Sequence, residues 1–284
     1  LATSTGPILL VDGRNAVYRA LYANRHGEVH DFVVILRAMA AWIRLLKPSE
    51  FHIFWDVQRE EIWRRKISET YKTRTDVDVE GVRERLGPVT AVARKILKVM
   101  GVRQYRRKAM EADDLIFAAS RVLCPKDTII VSSDTDYAQV SFYMPHVRLY
   151  DPGKKRFIER PAVNPVIAKA LAGDGTDTVN GYSGIGPVKS GRLAESITAR
   201  QQFLDDYGID MFGLNLLLVD LSLCPELLLN ELYVTRTMAT EVIYDKREIH
   251  RLAHESKVLG LVSEYDQIAV PFKKLTQHGQ EQTA

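Results

Sequence analysis

Three short apolar runs in this chain each end in aspartate, and helical patterns separate them. The runs are Ile8-Leu-Leu-Val-Asp12, His52-Ile-Phe-Trp-Asp56 and Ile129-Ile-Val-Ser-Ser-Asp134-Thr-Asp136. They are β-branched or aromatic and are bounded by glycine, proline or serine, which predicts strands over 8–12, 51–56 and 128–134. Between them, apolar residues recur at helical spacing over Arg14–Arg25, Asp31–Leu46, Val82–Met100 and Ala112–Leu123. Strands alternating with helices predict an α/β fold with a parallel sheet. Such sheets bind ligands beyond the carboxyl ends of their strands, which is where Asp12, Asp56, Asp134 and Asp136 fall.

Two further segments add acids. Glu111-Ala-Asp113-Asp114 opens a predicted helix, and Gly173-Asp174-Gly-Thr-Asp177 lies in a glycine-rich loop, giving nine carboxylates in five segments. Singly, each has a plain explanation: the helix dipole favours acids at an N-terminus, and a loop Asp makes an Asx turn. Nine acids converging on one pocket would repel one another unless cations sat among them. Hard cations such as Mg²⁺ and Mn²⁺ prefer oxygen ligands.

A length of 284 residues allows one large or two modest domains. The pattern becomes mainly helical after a predicted hairpin, Val147–Tyr150 with Arg156–Glu159. This sets a soft boundary near residue 160, with an α/β domain over 1–160 and a helical region over 161–284. The most apolar stretch, Phe212–Val234, contains Asp220, Glu226 and Glu231 with Pro225 between them, and reads as a buried helix or helix pair rather than a membrane span. Cys124 and Cys224 form no CxxC or His/Cys cluster, so a disulfide framework or zinc site is not expected and a reducing, cytoplasmic setting fits. Leu1-Ala-Thr-Ser-Thr reads as a trimmed end, with no secretory pattern.

Net charge is only +3, but its distribution is uneven: Gln58–Lys108 holds fifteen Lys/Arg against seven Asp/Glu, leaving the remainder five net negative. A basic block beside an acidic one suits a polyanionic substrate held over metals; a solvated helical face is the plainer reading. Within the block, Trp63-Arg64-Arg65-Lys66 through Tyr71-Lys72-Thr-Arg74 interleaves aromatic and cationic residues, as single-strand binding requires. Downstream, Gly181-Tyr-Ser183-Gly184-Ile185-Gly186-Pro-Val-Lys189 forms a compact turn whose N–H groups can face a phosphate. The GxxxxGK[ST] spacing is absent, which rejects a P-loop NTPase.

Together these residues resemble the 5′-nuclease family: phage 5′-exonucleases, bacterial flap endonucleases and the 5′-nuclease domain of bacterial DNA polymerase I. The resemblance runs from about Ile8 to Pro225. It rests on Val11-Asp12-Gly13 with Arg19, Phe54-Trp55-Asp56, Trp63-Arg64 before Tyr71-Lys72, Glu111-Ala-Asp113-Asp114, Ser133-Asp134-Thr-Asp136-Tyr-Ala-Gln139, Gly173-Asp174 to Gly184-Ile-Gly186, and Leu216-Leu-Leu-Val-Asp-Leu. It implies a PIN-like nuclease core, a helical arch over about 57–80, and a helix–three-turn–helix DNA-binding element over about 165–200 that often holds K⁺.

By position, the resemblance makes Asp12, Asp56, Glu111, Asp113, Asp114, Asp134, Asp136, Asp174 and Asp177 metal ligands or their outer shell. Lys72 falls on the arch lysine that contacts the scissile phosphate, and Arg19 on a basic residue near the active site. Arg64, Tyr71, Arg74, Gly184, Gly186 and Lys189 would touch DNA, and Ser183 and Ile185 would hold K⁺. The family's Gly-Asp-x-Ser-Asp-Asn is here Gly173-Asp-Gly-Thr176-Asp177-Thr178, Lys189 comes one residue late and Arg74 one residue early.

The implied activity is two-metal hydrolysis of DNA carrying a 5′ end or flap, in replication or repair, using Mg²⁺ or Mn²⁺. The implied setting is a monomer, with a DNA polymerase as a partner and no membrane. Two rivals are a PIN-type ribonuclease, which would not need the glycine turn, and an inactive branched-DNA-binding homologue, which would have lost acids.

Overall fold

The computed structural model describes residues 6–27, 30–73 and 81–281. Its centre is a six-stranded sheet of β1 (Ile8–Asp12), β2 (Glu50–Phe54), β3 (Arg103–Tyr105), β4 (Thr128–Val131), β5 (Val147–Asp151) and β6 (Arg156–Ile158). The strand order is β3-β2-β1-β4-β5-β6. All pairs are parallel except the β5–β6 hairpin. The expected strands and hairpin are present. β3 was not expected: three residues, Arg-Gln-Tyr, carry no usable alternation.

Central β1 is buried throughout. Its side chains alternate, as the pleat dictates, with Leu9 and Val11 in one core and Ile8 and Leu10 in the other. The first core packs beneath α1 (Gly13–Ala23), α2 (Asp31–Leu46) and α3 (Val82–Val99). The second lies under α4 (Ala112–Val122) and α5 (Ala138–Tyr143). A third core joins Val57, Ile62 and Tyr71 to α6 (Pro165–Ala172), α8 (Ile197–Tyr207) and α9 (Asp210–Val219). Between α6 and α8 lie the two-residue strands β7 (Gly173–Asp174) and β8 (Val179–Asn180), then α7 (Pro187–Glu195).

The helices beyond residue 224 do not extend the helical region expected over 161–284. Val234 of α10 (Leu227–Met238) packs into the second core. In α11 (Lys246–Glu255), α12 (Leu259–Ser263), α13 (Tyr265–Ile268) and α14 (Val270–Glu281), residues Ile249, Leu261, Ile268 and Phe272 complete the first. The apolar stretch 212–234 is a helix pair broken at Pro225, but it is not wholly buried: Leu228 is 71% exposed and Leu232 54%. None of the described helices is long and apolar enough to cross a membrane.

Phe272 is 1% exposed. It meets Phe51 of β2 edge to face at 5.7 Å between centroids. Truncating a buried Phe costs roughly 3–5 kcal/mol. Phe272→Ala is therefore expected to lower the unfolding free energy by about that amount in urea titrations; a loss under about 1 kcal/mol would show that the C-terminal helices do not belong to this core.

Candidate metal centre

The sheet order reverses at β1, which lies between β2 and β4, and crevices form at such reversals. Asp12 ends β1 and caps α1, its Oδ1 accepting from the Asn15 amide at 2.9 Å while its Oδ2 accepts from the Tyr137 hydroxyl at 3.1 Å. Across the crevice, the Ser133 hydroxyl donates to Asn15 Oδ1 at 3.1 Å. Asp56, two residues beyond β2, accepts from the Ala112 amide at 2.8 Å, which ties it to the start of α4. Asp134 accepts from the Asp136 amide at 2.9 Å in a tight turn after β4.

Two acid triads flank this crevice. Glu111, Asp113 and Asp114 bring one oxygen each within 4.8 Å of one another, and so do Asp136, Asp174 and Asp177. The nine acids expected from sequence thus gather at one edge of the sheet, with unequal roles. Asp114 is fully buried. Its Oδ1 accepts from Arg64 Nη2 at 2.9 Å, and its Oδ2 accepts from Trp63 Nε1, Arg64 Nη1 and the Glu111 amide at 3.0–3.2 Å. With its oxygens so committed, Asp114 braces its neighbours, which suits the outer-shell place that the resemblance left open beside direct ligation. Proximity alone puts it in the triad; its hydrogen bonds decide the role.

Arg64 and Tyr71 differ from expectation. Arg64 is 1% exposed, donates to the Leu218 carbonyl at 2.9 Å and to Glu111 at 2.8 Å, and so cannot lie on DNA in this conformation. Tyr71 is 2% exposed and directs its hydroxyl to Asp177 at 3.2 Å. Rather than a free arch, residues 57–73 form two short 3₁₀ turns, with Ile62, Trp63 and Tyr71 buried. Arg74 and the remainder of the expected arch lie outside the described residues.

Two lysines stand among the acids. Lys72 Nζ lies 2.5 Å from Glu111 and 3.8 Å from Asp177, so it joins the two triads. Its amide donates to the Asp177 carbonyl at 2.9 Å, and its φ of +54° is a left-handed conformation disfavoured for lysine. Lys169, which the sequence reading passed over, forms ion pairs with Asp136 and Asp174. Its signal was present: it is the one charged residue in the apolar helix Pro165-Val-Ile-Ala-Lys-Ala-Leu-Ala172.

Burial, then the neighbouring Asp56, pushes the Asp12 carboxyl up to about 7. Burial raises Asp177 to about 6 although Lys72 opposes it. Burial likewise raises Asp56, Asp113 and Asp134. For Glu111 burial also pushes upward, but Lys72 and Arg64 outweigh it and hold the carboxyl below its ordinary value. A pocket of oxygen donors, with several acids short of counter-charge, fits hard divalent cations.

The remaining expected residues are more peripheral. Arg19 is half-buried on α1, its guanidinium lying against Gly153. Ser183, Gly184, Gly186 and Lys189 are exposed and Ile185 is half-buried. Gly184 has a φ of +72°, the left-handed turn that favours glycine. Lys189 lies in the first turn of α7.

The fold and site define an α/β protein with an acid-lined crevice at its switch point. The 5′-3′ exonuclease N-terminal resolvase-like domain matches residues 7–169. The chain belongs to the 5′-3′ exonuclease family, as its sequence resemblance led us to expect. It is 28% identical over 200 residues to the flap endonuclease Xni of Shewanella denitrificans, covering 66% of this chain and 76% of that protein. A DNA polymerase I of Rhizobium leguminosarum is 27% identical over 213 residues, 66% of this chain and 20% of the polymerase. Among solved structures, the T5 D15 protein co-crystallised with metal ions shares the fold, with a TM-score of 0.64 at 15% identity over 87% of this chain and 99% of that one.

A carboxyl raised on folding adds stability below its unfolded value that is lost as pH rises through its folded value. The raised acids, Asp12 at about 7 and Asp177 at about 6 among them, place that loss between the ordinary carboxylate range and neutrality. The metal-free protein should thus melt higher at about pH 5.5 than at about pH 8, and Mg²⁺ should raise the melting temperature more at the higher pH. A melting temperature that falls on acidification, or a Mg²⁺ effect independent of pH, would contradict this electrostatic assignment.

Proposed function

We propose that this chain is a divalent-metal-dependent DNA 5′-nuclease, acting as a 5′-3′ exonuclease and 5′-flap endonuclease in replication or repair. The observation that carries the reading is the pairing of two acid triads across one crevice, joined by Lys72. Family membership and the T5 fold support it. Mg²⁺ or Mn²⁺ fits the oxygen donors. Glu111, Asp113, Asp12, Asp56 and Asp134 would hold one ion, and Asp136, Asp174 and Asp177 the other. Ions held there supply the charge that lowers the pKa of an attacking water and stabilises the leaving 3′ oxygen.

The chain's own residues do the rest. Arg64 is buried and fixes Glu111 and Asp114, so the first triad is set before substrate arrives. Lys72 is 27% exposed along its side chain, enough to turn from Glu111 to a scissile phosphate and stabilise its developing charge. Lys169 screens Asp136 from Asp174. Exposed Lys189 and the glycine turn at 184–186 would hold duplex phosphates, with K⁺ at the carbonyls near Ser183 and Ile185. The match to a fifth of a DNA polymerase I suits a polymerase partner that displaces 5′ strands as it extends.

The test is cleavage of a 5′-flap DNA with Mg²⁺. Wild type is expected to cut near the junction and Asp134→Ala to lose at least about a hundredfold in rate, the scale of removing one transition-state stabiliser. No cleavage by wild type would overturn the nuclease reading, and faster cleavage of single-stranded RNA would favour a PIN-type ribonuclease. Lys72→Ala should lower turnover by about a hundredfold or more with duplex affinity changed under about threefold; unchanged turnover refutes the role given to Lys72.

A further inference from the structure

α9 (Asp210–Val219) is apolar nearly all round, yet only one of its sides is covered. A helix of that kind belongs inside a protein. Phe212, Asn215, Leu218 and Val219 are buried, and the Asn215 amide donates to the Ala170 and Asn180 carbonyls at 2.8 and 2.7 Å, which fixes how the helix is turned. Its outer face carries Met211, Leu214 and Leu217, with Ile209 just before it, each between 39% and 58% exposed. Residues 207–232 hold nine of the eighteen large apolar side chains that are exposed among the described residues. The exposure is thus concentrated, unlike the single apolar side chains scattered over any surface.

Gly213 stands on the same outer face, one turn before Leu217. A Cβ there would meet nothing within 4 Å, and the backbone is not left-handed, so neither space nor conformation calls for glycine. Glycine inside a helix destabilises it relative to alanine. On an open face, a bare Cα lets another backbone approach closely.

The rim of this face is acidic. Asp205 and Asp206 lie in the last turn of α8 and Asp210 opens α9, all three exposed. Asp205 and Asp206 accept from the Gln201 and Gln202 amides at 2.8 and 3.2 Å, and among the described residues none of the three acids forms an ion pair. Residues 201–235 contain no Lys or Arg, in a chain that has 39. Such a surface repels the phosphates of nucleic acid and of anionic lipid headgroups. A second copy seated about a two-fold axis would bring the same acids, and no cation, to both sides. A protein segment that carries its own cations is attracted.

We infer that the outer face of α9 is the docking site for a basic amphipathic helix of a partner protein. The partner's apolar stripe lies over Met211, Leu214 and Leu217, its backbone passes close to Gly213, and its Lys or Arg side chains meet Asp205, Asp206 and Asp210. The inference goes beyond the nuclease reading and uses none of the residues assigned to the crevice. The helix that carries the docking face also braces the first triad, because the Leu218 carbonyl accepts from Arg64 Nε at 2.9 Å.

The test is peptide binding to the full chain by fluorescence anisotropy. The probe is a labelled peptide of about 18 residues, roughly five helical turns, with Leu along one stripe and Lys on its flanks. A second probe keeps the Leu stripe and has Glu in place of every Lys. The basic probe is expected to bind, and the acidic one at least about tenfold more weakly. Leu214→Asp/Leu217→Asp should weaken the basic probe by at least about tenfold, the effect of removing an interface anchor. Asp205→Asn/Asp206→Asn/Asp210→Asn should weaken it and flatten its salt dependence. Gly213→Leu separates close approach from general stickiness. It favours the helix and adds apolar surface, so stickiness predicts tighter binding at an unchanged or higher melting temperature. Close approach predicts binding at least about tenfold weaker.

Failure of the basic probe to bind, equal affinity for the two probes, or wild-type affinity in Leu214→Asp/Leu217→Asp or Gly213→Leu would overturn the inference. A wild-type dimer in sedimentation velocity that Leu214→Asp/Leu217→Asp dissociates would give the face to a second copy and overturn it as well. Affinity for the 5′-flap DNA should match wild type in all three sets of variants; its loss in Leu214→Asp/Leu217→Asp would assign the face to nucleic acid instead.

Discussion

Mutual repulsion among nine carboxylates drawn to the carboxyl end of the sheet is the constraint on which this structure turns. Two like charges about 4 Å apart repel by about 4 kcal/mol at an effective dielectric of about 20. The chain answers with three cations from separate segments. Arg64 neutralises the base of α4, Lys72 joins the two triads, and Lys169 separates Asp136 from Asp174. The cations offset the acids only in part: Asp12, Asp56, Asp113 and Asp134 are all still pushed upward by burial. A pocket in this condition is poised to take up divalent cations, and each ion bound relieves repulsion the protein already carries.

The fold makes that concentration of charge possible. β1 runs between two apolar cores, so its last residue, Asp12, emerges from a rigid, buried strand. The parallel neighbours β2 and β4 deliver Asp56 and Asp134 to the same edge. Segment 57–73 is pinned to this edge by buried Ile62, Trp63 and Tyr71, which fixes where Lys72 can stand. The left-handed backbone of Lys72 and its bond to the Asp177 carbonyl show that the position is imposed by the surroundings. A lysine tethered at its backbone and partly exposed at its side chain can change partners without the chain moving.

Much of this was legible in the sequence. The α2 boundaries, 31–46, matched the apolar spacing, and the strand ends carried the acids that matter. The hairpin was visible from its Asp-Pro-Gly turn. The division of labour within Glu111-Ala-Asp113-Asp114 was not, because Asp114 differs from Asp113 only in being turned toward Trp63 and Arg64, residues 51 and 50 positions away. Arg64 itself read as a surface cation in a basic block, since nothing local says that its guanidinium is buried. The leucines of α10 misled in the opposite sense: Leu228, Leu229 and Leu232 share an apolar stretch with buried residues yet lie exposed. Lys169 could have been found from its isolation in an apolar helix five residues before Asp174.

In the metal-free protein Lys72 and Lys169 hold places in a field that divalent ions would share when bound. A crystal structure of the protein soaked in Mn²⁺, with anomalous difference maps, addresses it directly. Two anomalous peaks are expected, one bounded by Glu111 and Asp113 and the other by Asp136, Asp174 and Asp177, with the Lys72 ammonium withdrawn from Glu111 and Asp114 still closed around Arg64. Absence of anomalous density at both triads, or Mn²⁺ coordinated by Asp114 with Arg64 displaced, would contradict it.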